Sequence, residues 1–231
     1  MTNTDITRTA LVTGGSAGLG LALTHALAAE GWRVVTDARD TARLEQAHRD
    51  SGVIAIAGDV TDQDHRDALV AAVSDGLDLL VLNSSTLGPL PMRPLTEYQP
   101  NDIGEVLRGN AGGPTALLIA LAGRLRKDTG VVVGISSDAA VEHYPGWGLY
   151  AAGKAALDQL VLTFAAETGL TGYAFDPGDM RTQMHQDAFP GEDISDRPEA
   201  ATVVPTLLRL VASGAPSGRY RASDSLAEAS R

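Results

Sequence analysis

The sequence predicts an α/β fold, in which one doubly wound parallel sheet is covered by helices on both faces. Short apolar runs that end in turn residues alternate with helical stretches of about 10–15 residues. The runs Leu77–Asn83 and Gly130–Ser137 are almost continuously apolar, as strands buried on both faces should be. This alternation is typical of βαβ units and therefore predicts a parallel sheet.

The elements follow from these periodicities in chain order, with each apolar run taken as a strand and each helical stretch as the crossover behind it. The predicted strands are Thr9–Gly14, Arg33–Asp37, Val53–Gly58, Leu77–Asn83, Gly130–Ser137, Thr171–Asp176 and a short seventh strand within Gly218–Ser223. The predicted helices are Ala17–Glu30, Thr41–Asp50, Gln63 to about Ser74, one that begins near Leu149, and Pro198–Ser213.

No linker, fixed-period repeat or low-complexity tract interrupts the alternation, so we predict one domain over residues 1–231. The segment Gly88–Asp102 is rich in proline but short enough to be a surface connection. The helix that begins near Leu149 carries one apolar stripe, made of Leu157, Leu160, Val161 and Phe164.

The composition excludes several classes of protein. The chain has 231 residues and no cysteine, so we expect no disulfide or thiolate chemistry and a cytoplasmic location. Its net charge of −11 argues against a nucleic-acid binder, which needs a basic surface. No apolar run reaches the roughly 18 residues of a membrane span, and no secretory signal is expected. Neither nucleic acid nor membrane is therefore an expected partner.

Three glycines, Gly14, Gly18 and Gly20, lie between the first predicted strand and the first predicted helix. Glycine at these positions permits a tight turn, close approach of the backbone to a pyrophosphate, and close packing of helix on strand. The helix N-terminus adds amide donors and the positive end of its dipole. A βα turn that only needs positive φ would also use glycine, but the position in the first βα unit favours dinucleotide binding.

The spacing T-G-x-x-x-G-x-G, from Thr13 to Gly20, resembles that of the short-chain dehydrogenase/reductase (SDR) family rather than the plain Rossmann fingerprint. Other motifs resemble that family in the same order, namely GDV at 58–60, Asn110 in LRGNAGGP, Ser137 with Tyr150 and Lys154, and DPGDMRT at 176–182. The resemblance covers nearly the whole chain. It implies a single-domain Rossmann-type sheet of about seven strands in the order 3-2-1-4-5-6-7.

The same resemblance assigns residues to the reaction and to the cofactor. It places the family's catalytic tetrad on Asn110, Ser137, Tyr150 and Lys154. It places cofactor binding on Thr13, Gly14, Ser16, Gly18, Leu19, Gly20, Arg39, Asp59, Val60, Asn83, Ser84, Ser85, Tyr150, Lys154, Pro177, Gly178 and Thr182. Asp59 is then expected near the adenine amino group, Val60 against the adenine ring and Thr182 at the nicotinamide.

Two positions depart from the family pattern. The chain has Leu-Asn-Ser-Ser at 82–85 where the family usually has Asn-Asn-Ala-Gly, so the Ser85 side chain stands where backbone usually lies against the cofactor. Gly153 precedes Lys154 inside a predicted helix, at a cost of about 0.5–1 kcal/mol relative to alanine. Close packing against a neighbouring element would explain that glycine.

The end of the second strand decides which ribose is accepted, because a carboxylate pairs with a 2′-hydroxyl and an arginine with a 2′-phosphate. Counted from Gly31, the NAD-type aspartate position falls on Ala38 and the NADP-type arginine position on Arg39. Asp37 is one residue early and should point to the opposite side of the strand. The sequence therefore favours NADP(H). A one-residue slip in this count, or an Arg39 that is only a surface residue, leaves NAD(H) as the alternative.

Reduction of a carbonyl places negative charge on its oxygen, which then needs stabilisation and a proton. A phenol suits this role if its pKa, ordinarily about 10, is brought towards neutrality. Lys154 lies one helical turn after Tyr150, and its ammonium favours tyrosinate. Alone, Y-x-x-x-K also describes a partly exposed helix start. The chain has lysine only at 127 and 154, however, which favours a specific need for lysine.

The resemblance implies a role for each remaining member of the tetrad. Lys154 is expected to hold the nicotinamide ribose hydroxyls, Ser137 to donate a hydrogen bond to the substrate oxygen, and Asn110 to order a water that relays protons through Lys154. Candidate residues for the substrate pocket are His143, Tyr144, Trp147, Asp179, Met180 and Met184, although loop packing explains the first three equally well.

The segment from about 179 to 197 is expected to be a mobile substrate lid over an open pocket, with its acidic residues mostly in solvent. His48 and His65 are expected on surface segments. No His, Asp or Glu spacing predicts a metal site.

The favoured function is an NADP(H)-dependent oxidoreductase that interconverts a small-molecule carbonyl and a secondary alcohol. One alternative is a catalytically silent dinucleotide-binding sensor or scaffold, which needs no Tyr-Lys pair and is favoured only by Ser84–Ser85. Another is an SDR enzyme that performs epimerisation or imine reduction. The resemblance also implies a homodimer or homotetramer, formed through the helices that carry Asn110 and Tyr150.

Overall fold

The computed structural model of the protein describes residues 7–224, and its centre is a sheet of seven strands. The strands are β1 Thr9–Val12, β2 Arg33–Ala38, β3 Ile54–Ala57, β4 Leu79–Leu82, β5 Val131–Ile135, β6 Thr171–Asp176 and β7 Gly218–Arg221. All neighbouring pairs are parallel, and the order across the sheet is β3-β2-β1-β4-β5-β6-β7. The predicted Rossmann-type fold and its strand order are therefore confirmed.

Helices cover both faces of this sheet. They are α1 Gly18–Ala29, α2 Thr41–His48, α3 Gln63–Ala72, α4 Pro100–Leu107, α5 Gly113–Leu121, α6 Gly148–Thr168, α7 Gln183–Ala188 and α8 Val204–Ser213. A π-helical turn, Arg108–Gly112, joins α4 to α5. Among residues 7–224, none of the helices has the length and apolar character needed to cross a bilayer.

Two hydrophobic cores form because side chains of a strand alternate between the faces of the sheet. In β1, Ala10 and Val12 belong to the core beneath α1 and α8, whereas Leu11 belongs to the core beneath α3, α5 and α6. Leu79 and Leu80 of β4 divide in the same way. Both β4 and β5 are almost wholly buried, as their continuous apolar runs predict.

Side-chain caps fix the starts of three helices near the carboxyl edge of the sheet. The Asp40 carboxylate accepts from the Arg43 N–H at 3.0 Å and starts α2. Asp62 caps α3 in the same way, and the Thr182 hydroxyl caps α7. These caps satisfy backbone donors that the first turn of a helix leaves free.

The structure differs from the predicted elements in several places. Periodicity does not predict α4, the π-helical turn or α5, although the family resemblance implies a helix at Asn110. The sequence of this region contains Gly112, Gly113 and Pro114, which resemble breakers, but proline is tolerated in a first helical turn, where its missing N–H is not needed. The predicted helix Pro198–Ser213 begins only at Val204, after a 3₁₀ turn at Ala200–Thr202.

The apolar stripe of α6 is only partly directed inwards. Leu157 and Val161 are fully buried in the core beneath α6, whereas Leu160 is 39% exposed. The prediction of one domain over residues 1–231 stays a prediction, and its first six and last seven residues lie outside the described part of the chain.

Candidate active site

A cavity of about 720 Å³ lies along the carboxyl ends of the strands, where open α/β sheets bind their ligands. Its walls include most of the cofactor and tetrad residues predicted from the sequence. These are Gly14, Ser16, Gly18, Leu19, Arg39, Asp59, Val60, Asn83, Ser84, Ser85, Ser137, Tyr150, Lys154, Pro177, Gly178 and Thr182. Four of the predicted pocket residues also line it, namely Trp147, Asp179, Met180 and Met184.

Five predicted residues do not form part of the cavity wall. Thr13, Gly20 and Asn110 are buried behind it. His143 and Tyr144 lie outside it, on the exposed loop before α6. Both side chains are exposed, so their place in a substrate pocket stays a prediction.

The glycine turn has the backbone that its sequence predicts. Gly14 and Gly18 have φ values of 73° and 53°, in the left-handed region that side chains disfavour. A Cβ on Gly20 would collide with the Gly14 carbonyl oxygen, so this glycine permits close packing of α1 on the turn. Behind the turn, the Thr13 hydroxyl accepts from the Asn83 and Ser84 N–H groups at 2.9 and 3.0 Å and so ties it to β4.

A buried Asp37–His65 pair supports the glycine turn from the β2 side. Asp37 Oδ1 accepts from the Gly14 N–H at 2.8 Å, and Asp37 Oδ2 lies 2.9 Å from His65 Nε2. Both side chains are almost completely buried. Each oxygen of Asp37 thus already has a partner within the protein.

His48 supports the same turn from α2, with its Nε2 2.9 Å from the Gly15 carbonyl oxygen. Burial lowers the pKa of His48, so the neutral imidazole donates this hydrogen bond. The expectation that His48 and His65 lie on surface segments is wrong. Each lies on the inward face of its helix beside a buried leucine, where apolar periodicity does not reveal a buried histidine.

Two arginines line the wall at the β2 end of the cavity. Arg39 directly follows β2, and Arg43 lies in the first turn of α2. Both are exposed, and the nearby Asp40 carboxylate caps α2. This corner combines two guanidinium groups with a helix N-terminus, which suits a phosphate group.

Tyr150 and Lys154 lie on one face of α6 at the opposite end of the cavity. Tyr150 is 8% exposed and Lys154 only 2%. Lys154 Nζ donates to the Ile135 carbonyl oxygen at 2.8 Å and lies 5.7 Å from the centroid of the Tyr150 ring. Burial raises the pKa of Tyr150 to about 12, although hydrogen bonding with Ser137 opposes this. Burial lowers the pKa of Lys154 to about 8, and the Asp158 carboxylate opposes that shift.

The π-helical turn places Asn110 against the loop that follows β4. Asn110 Oδ1 accepts from the Thr86 N–H at 2.8 Å and from the Ser85 hydroxyl at 3.2 Å. Its Nδ2 donates to the Thr86 carbonyl oxygen at 2.8 Å. Ser85 also forms a hydrogen bond that lowers the pKa of Tyr150. The serine that departs from the family pattern therefore links Asn110 to Tyr150.

Ser137 lies at the end of β5 beside Asp138. The Ser137 hydroxyl donates to Asp138 Oδ1 at 3.0 Å, and the Tyr144 hydroxyl donates to Asp138 Oδ2 at 2.9 Å. Tyr144 thus contacts Asp138 from the solvent side and does not line the cavity. Because Asp138 raises the pKa of Tyr150, its charge favours the protonated phenol.

The floor beside Tyr150 is apolar. Leu87 and Ala139 are buried against Tyr150, and five partly buried apolar side chains complete this cluster, namely Met92, Trp147, Ala151, Met184 and Ala188. The Trp147 ring contacts the Tyr150 ring edge to face, with centroids 5.6 Å apart. The segment predicted as a lid contains α7, which contributes Met184 and Ala188. Within residues 7–224, no group of three acidic or histidine side chains is arranged to hold a metal ion.

Comparison with known proteins identifies the family. The sequence profile of a family described as "short chain dehydrogenase" matches residues 8–193. The chain belongs to this family. It is 32% identical over 187 residues to serine 3-dehydrogenase of Agrobacterium fabrum, covering 76% of this chain and 73% of the relative. It is 33% identical over 200 residues to sepiapterin reductase of Mus musculus, covering 76% of each chain.

Solved structures of the family superpose closely on this protein. A short chain dehydrogenase of Shigella flexneri, complexed with NADP, gives a TM-score of 0.86 at 27% identity, covering 94% of this chain and 97% of the other. A short chain dehydrogenase of Escherichia coli CFT073, complexed with NADPH, gives a TM-score of 0.85 at 27% identity, covering 93% of this chain and 96% of the other.

Some residues of this cavity are absent from the sequence-based predictions. The sequence contains a signal for Arg43. Asp40 is a suitable N-cap for the helix predicted to begin at Thr41, and Arg43 is then four residues after Arg39, in the first turn of that helix. Leu87 lies in an irregular loop, where no periodicity indicates burial. Asp138 adjoins a predicted catalytic residue, but only the fold shows that its carboxylate bonds the serine hydroxyl.

Gly153 packs directly on Asn110. A Cβ at position 153 would lie 2.7 Å from the Asn110 Cβ, so α6 and the π-helical turn cannot remain this close if the glycine is replaced. We expect Gly153→Ala to lower the free energy of unfolding by about 1–3 kcal/mol, because overpacking outweighs the gain in helix propensity. Chemical denaturation measures this change.

Gly104→Ala is the matched control. Gly104 lies in α4, is exposed, and would place its Cβ no closer than 4.0 Å to the Arg108 side chain. Gly104→Ala should raise the free energy of unfolding by about 0.5–1 kcal/mol through helix propensity alone. Equal effects of the two substitutions would show that Gly153 does not set the distance between α6 and Asn110.

Proposed function

We propose that this protein is an NADP(H)-dependent oxidoreductase that interconverts a carbonyl and a secondary alcohol, with Tyr150 as general acid and base. One observation carries the proposal. The buried Tyr150 phenol, Lys154 and the Ser137 hydroxyl meet in the same cavity as the glycine turn. A binding protein that only senses a dinucleotide has no need for this pair of ionisable groups buried beside a substrate-sized apolar floor.

The cavity residues fit a dinucleotide cofactor. Gly14 and Gly18 leave backbone uncovered at the N-terminus of α1, where a pyrophosphate binds. Ser84 Oγ is buried at the wall and has no hydrogen-bond partner within the described residues, so it is free for a ligand. Lys154 and Thr182 are then the residues that hold the nicotinamide riboside. When bound, the nicotinamide supplies or accepts the hydride.

The choice of NADP(H) over NAD(H) depends on the β2 end of the cavity. Arg39 and Arg43 offer two guanidinium groups to a 2′-phosphate. The carboxylate that would serve a 2′-hydroxyl, Asp37, is already bonded to Gly14 and His65. The solved relatives in complex with NADP and NADPH support the same preference.

The proton chemistry follows from the residues around the phenol. With a pKa of about 12 in the protein without cofactor, Tyr150 carries its proton at neutral pH and is ready to donate it to a carbonyl oxygen. The Ser137 hydroxyl is placed to donate to the same oxygen once it turns from Asp138. Charged Lys154 stabilises the tyrosinate left behind. Ser85 and Asn110 form a second hydrogen-bonded path from the phenol towards the π-helical turn.

A cofactor-oxidation screen tests the proposed function. The panel contains ketones, aldehydes and imines with NADPH, and alcohols with NADP⁺. It includes sepiapterin and serine, because similar proteins are named for those compounds. We expect turnover of at least one carbonyl or secondary alcohol. Tight NADPH binding without turnover would instead indicate a silent sensor, and turnover of imines alone would indicate imine reduction.

We also propose a homodimer or homotetramer. Ile119 on α5 is 67% exposed and Leu160 on α6 is 39% exposed, although both are large apolar side chains. α5 follows the π-helical turn and α6 carries Tyr150, so an interface formed by these two helices would stabilise the reaction centre. Light scattering on the purified protein tests this, and a monomer at micromolar concentration would contradict it.

A further inference from the structure

The guanidinium of Arg219, on the last strand β7, reaches into the sheet edge beneath Ser137. Its Nη2 donates to the Ser137 carbonyl oxygen at 2.7 Å and to Asp176 Oδ2 at 3.1 Å. Its Nε lies 3.4 Å from Asp158 Oδ2. The Arg219 side chain is only 21% exposed, so these contacts are largely shielded from water.

Each of the three partners belongs to a different segment of the reaction centre. Ser137 follows β5. Asp176 ends β6, and its Oδ1 accepts from the Gly178 N–H at 3.0 Å, which shapes the Pro-Gly segment of the cavity wall. Asp158 lies one helical turn after Lys154 on α6, and its Oδ2 accepts from the Ser136 hydroxyl at 2.7 Å. One side chain therefore joins β5, β6 and α6 where they meet at the cavity.

Only a guanidinium satisfies this geometry. The Asp158 and Asp176 side chains are 11% and 5% exposed, and buried carboxylates without a cationic partner carry a large desolvation cost. Arginine has a planar fork of donors that contacts both carboxylates and a carbonyl oxygen, whereas an ammonium is a point charge on a flexible stem.

We propose that Arg219 is a positioning residue for the reaction centre, which holds Ser137 in register with the Pro-Gly segment and with the Tyr150–Lys154 face of α6. The Arg219 side chain does not line the cavity and contacts no reacting atom. Its effect on turnover passes through the Ser137 backbone, and this part of the proposal rests on the proposed function.

Hydrogen exchange tests the positioning without any substrate. In Arg219→Gln, amides of the segments 136–140 and 176–180 should exchange at least about tenfold faster than in the unaltered protein, because local opening becomes easier. Arg219→Lys, which keeps the charge, should restore part of the protection. Arg209→Gln on α8 is the control, since Arg209 is exposed and bonds only Thr206 among the described residues. Exchange in β1 should be the same in all variants.

Steady-state kinetics on a substrate from the screen gives the second measurement. Arg219→Gln should lower kcat by about 10²-fold with little change in KM, because a small misplacement of a catalytic group costs that much. Arg221 approaches Asp176 Oδ2 at 3.7 Å, so that carboxylate keeps a cation in the variant and folding is expected to persist. If Arg219→Gln fails to fold, Arg219→Lys carries the test.

The outcomes separate the two proposals. Unchanged exchange and unchanged kcat in both Arg219 variants would overturn the positioning role. Faster exchange at both segments, in a protein that turns over no carbonyl or alcohol, would support the positioning role and contradict the proposed function.

Discussion

Replacement of Tyr150 by phenylalanine is expected to lower kcat by about 10²–10⁴-fold, the range over which a general acid contributes to a rate. Phenylalanine removes the only proposed proton donor and leaves the ring. Turnover should fall without a matching rise in KM, because the lost interaction is made in the transition state. Stopped assays of NADPH consumption with the substrate from the screen measure the change.

The fold and the cofactor site should survive this substitution. Most of the burial of Tyr150 comes from its ring, which packs on Trp147 and against Leu87, and phenylalanine keeps those contacts. A buried hydroxyl must keep hydrogen-bond partners, and phenylalanine removes that requirement without leaving a charge behind. NADPH titrated into Tyr150→Phe should therefore bind within about threefold of the unaltered protein, a difference of well under 1 kcal/mol.

Tyr144→Phe is the matched control for the loss of a phenol. The Tyr144 hydroxyl donates to Asp138 and its side chain is 45% exposed, outside the cavity. Its removal should change kcat by less than about tenfold, the effect of one exposed hydrogen bond. A Tyr150→Phe protein that kept full turnover, or a Tyr144→Phe protein equally impaired, would show that Tyr150 is not the acid.

The sequence predicts those parts of this molecule that depend on local pattern. Buried parallel strands require continuous apolar runs, so β4 and β5 were identifiable within a few residues. The glycine turn depends on φ and on close approach, which only glycine allows, and therefore leaves a local signature. Tyr150 and Lys154 share a helix face at fixed spacing, which a sequence displays directly.

Features that depend on contacts between distant segments were not predictable in this way. Arg219 meets Ser137 across 82 positions of the chain and Asp176 across 43. His65 meets Asp37 across 28 positions, and polar residues flank it in the first half of α3, so the sequence indicated a surface histidine. α5 has apolar residues on all sides between glycines and a proline, which hides its period. The role of Ser85 became visible only when the π-helical turn brought Asn110 beside it.

Replacement of Arg39 by alanine is expected to weaken NADPH binding by about 10–10²-fold and to leave NADH binding unchanged. A hydrogen bond to a charged group contributes about 1.5–3 kcal/mol, and about 1.4 kcal/mol corresponds to a tenfold change in Kd. NADH lacks the 2′-phosphate, so it loses nothing when the guanidinium is removed. Each cofactor is titrated separately, and the quenching of the tryptophan fluorescence gives its dissociation constant.

Arg43 determines how large this loss is. Both guanidinium groups line the same corner of the cavity, so Arg43 retains part of the phosphate interaction in Arg39→Ala. The double variant Arg39→Ala, Arg43→Ala should therefore lose more NADPH affinity than either single variant, and residues that share one ligand group need not act additively. Arg49→Ala is the control, because Arg49 follows α2, is exposed and does not line the cavity.

The state of Asp37 makes this test decisive for the cofactor. If Asp37 served a 2′-hydroxyl, the protein would prefer NADH, and removal of Arg39 would change little. Its two oxygens instead hold the Gly14 amide and His65, and their release would cost two buried hydrogen bonds and the support of the glycine turn. A clear preference of the unaltered protein for NADH would therefore mean that Asp37 exchanges those partners for the ribose. Equal losses for both cofactors in Arg39→Ala would mean that Arg39 contacts a part that they share.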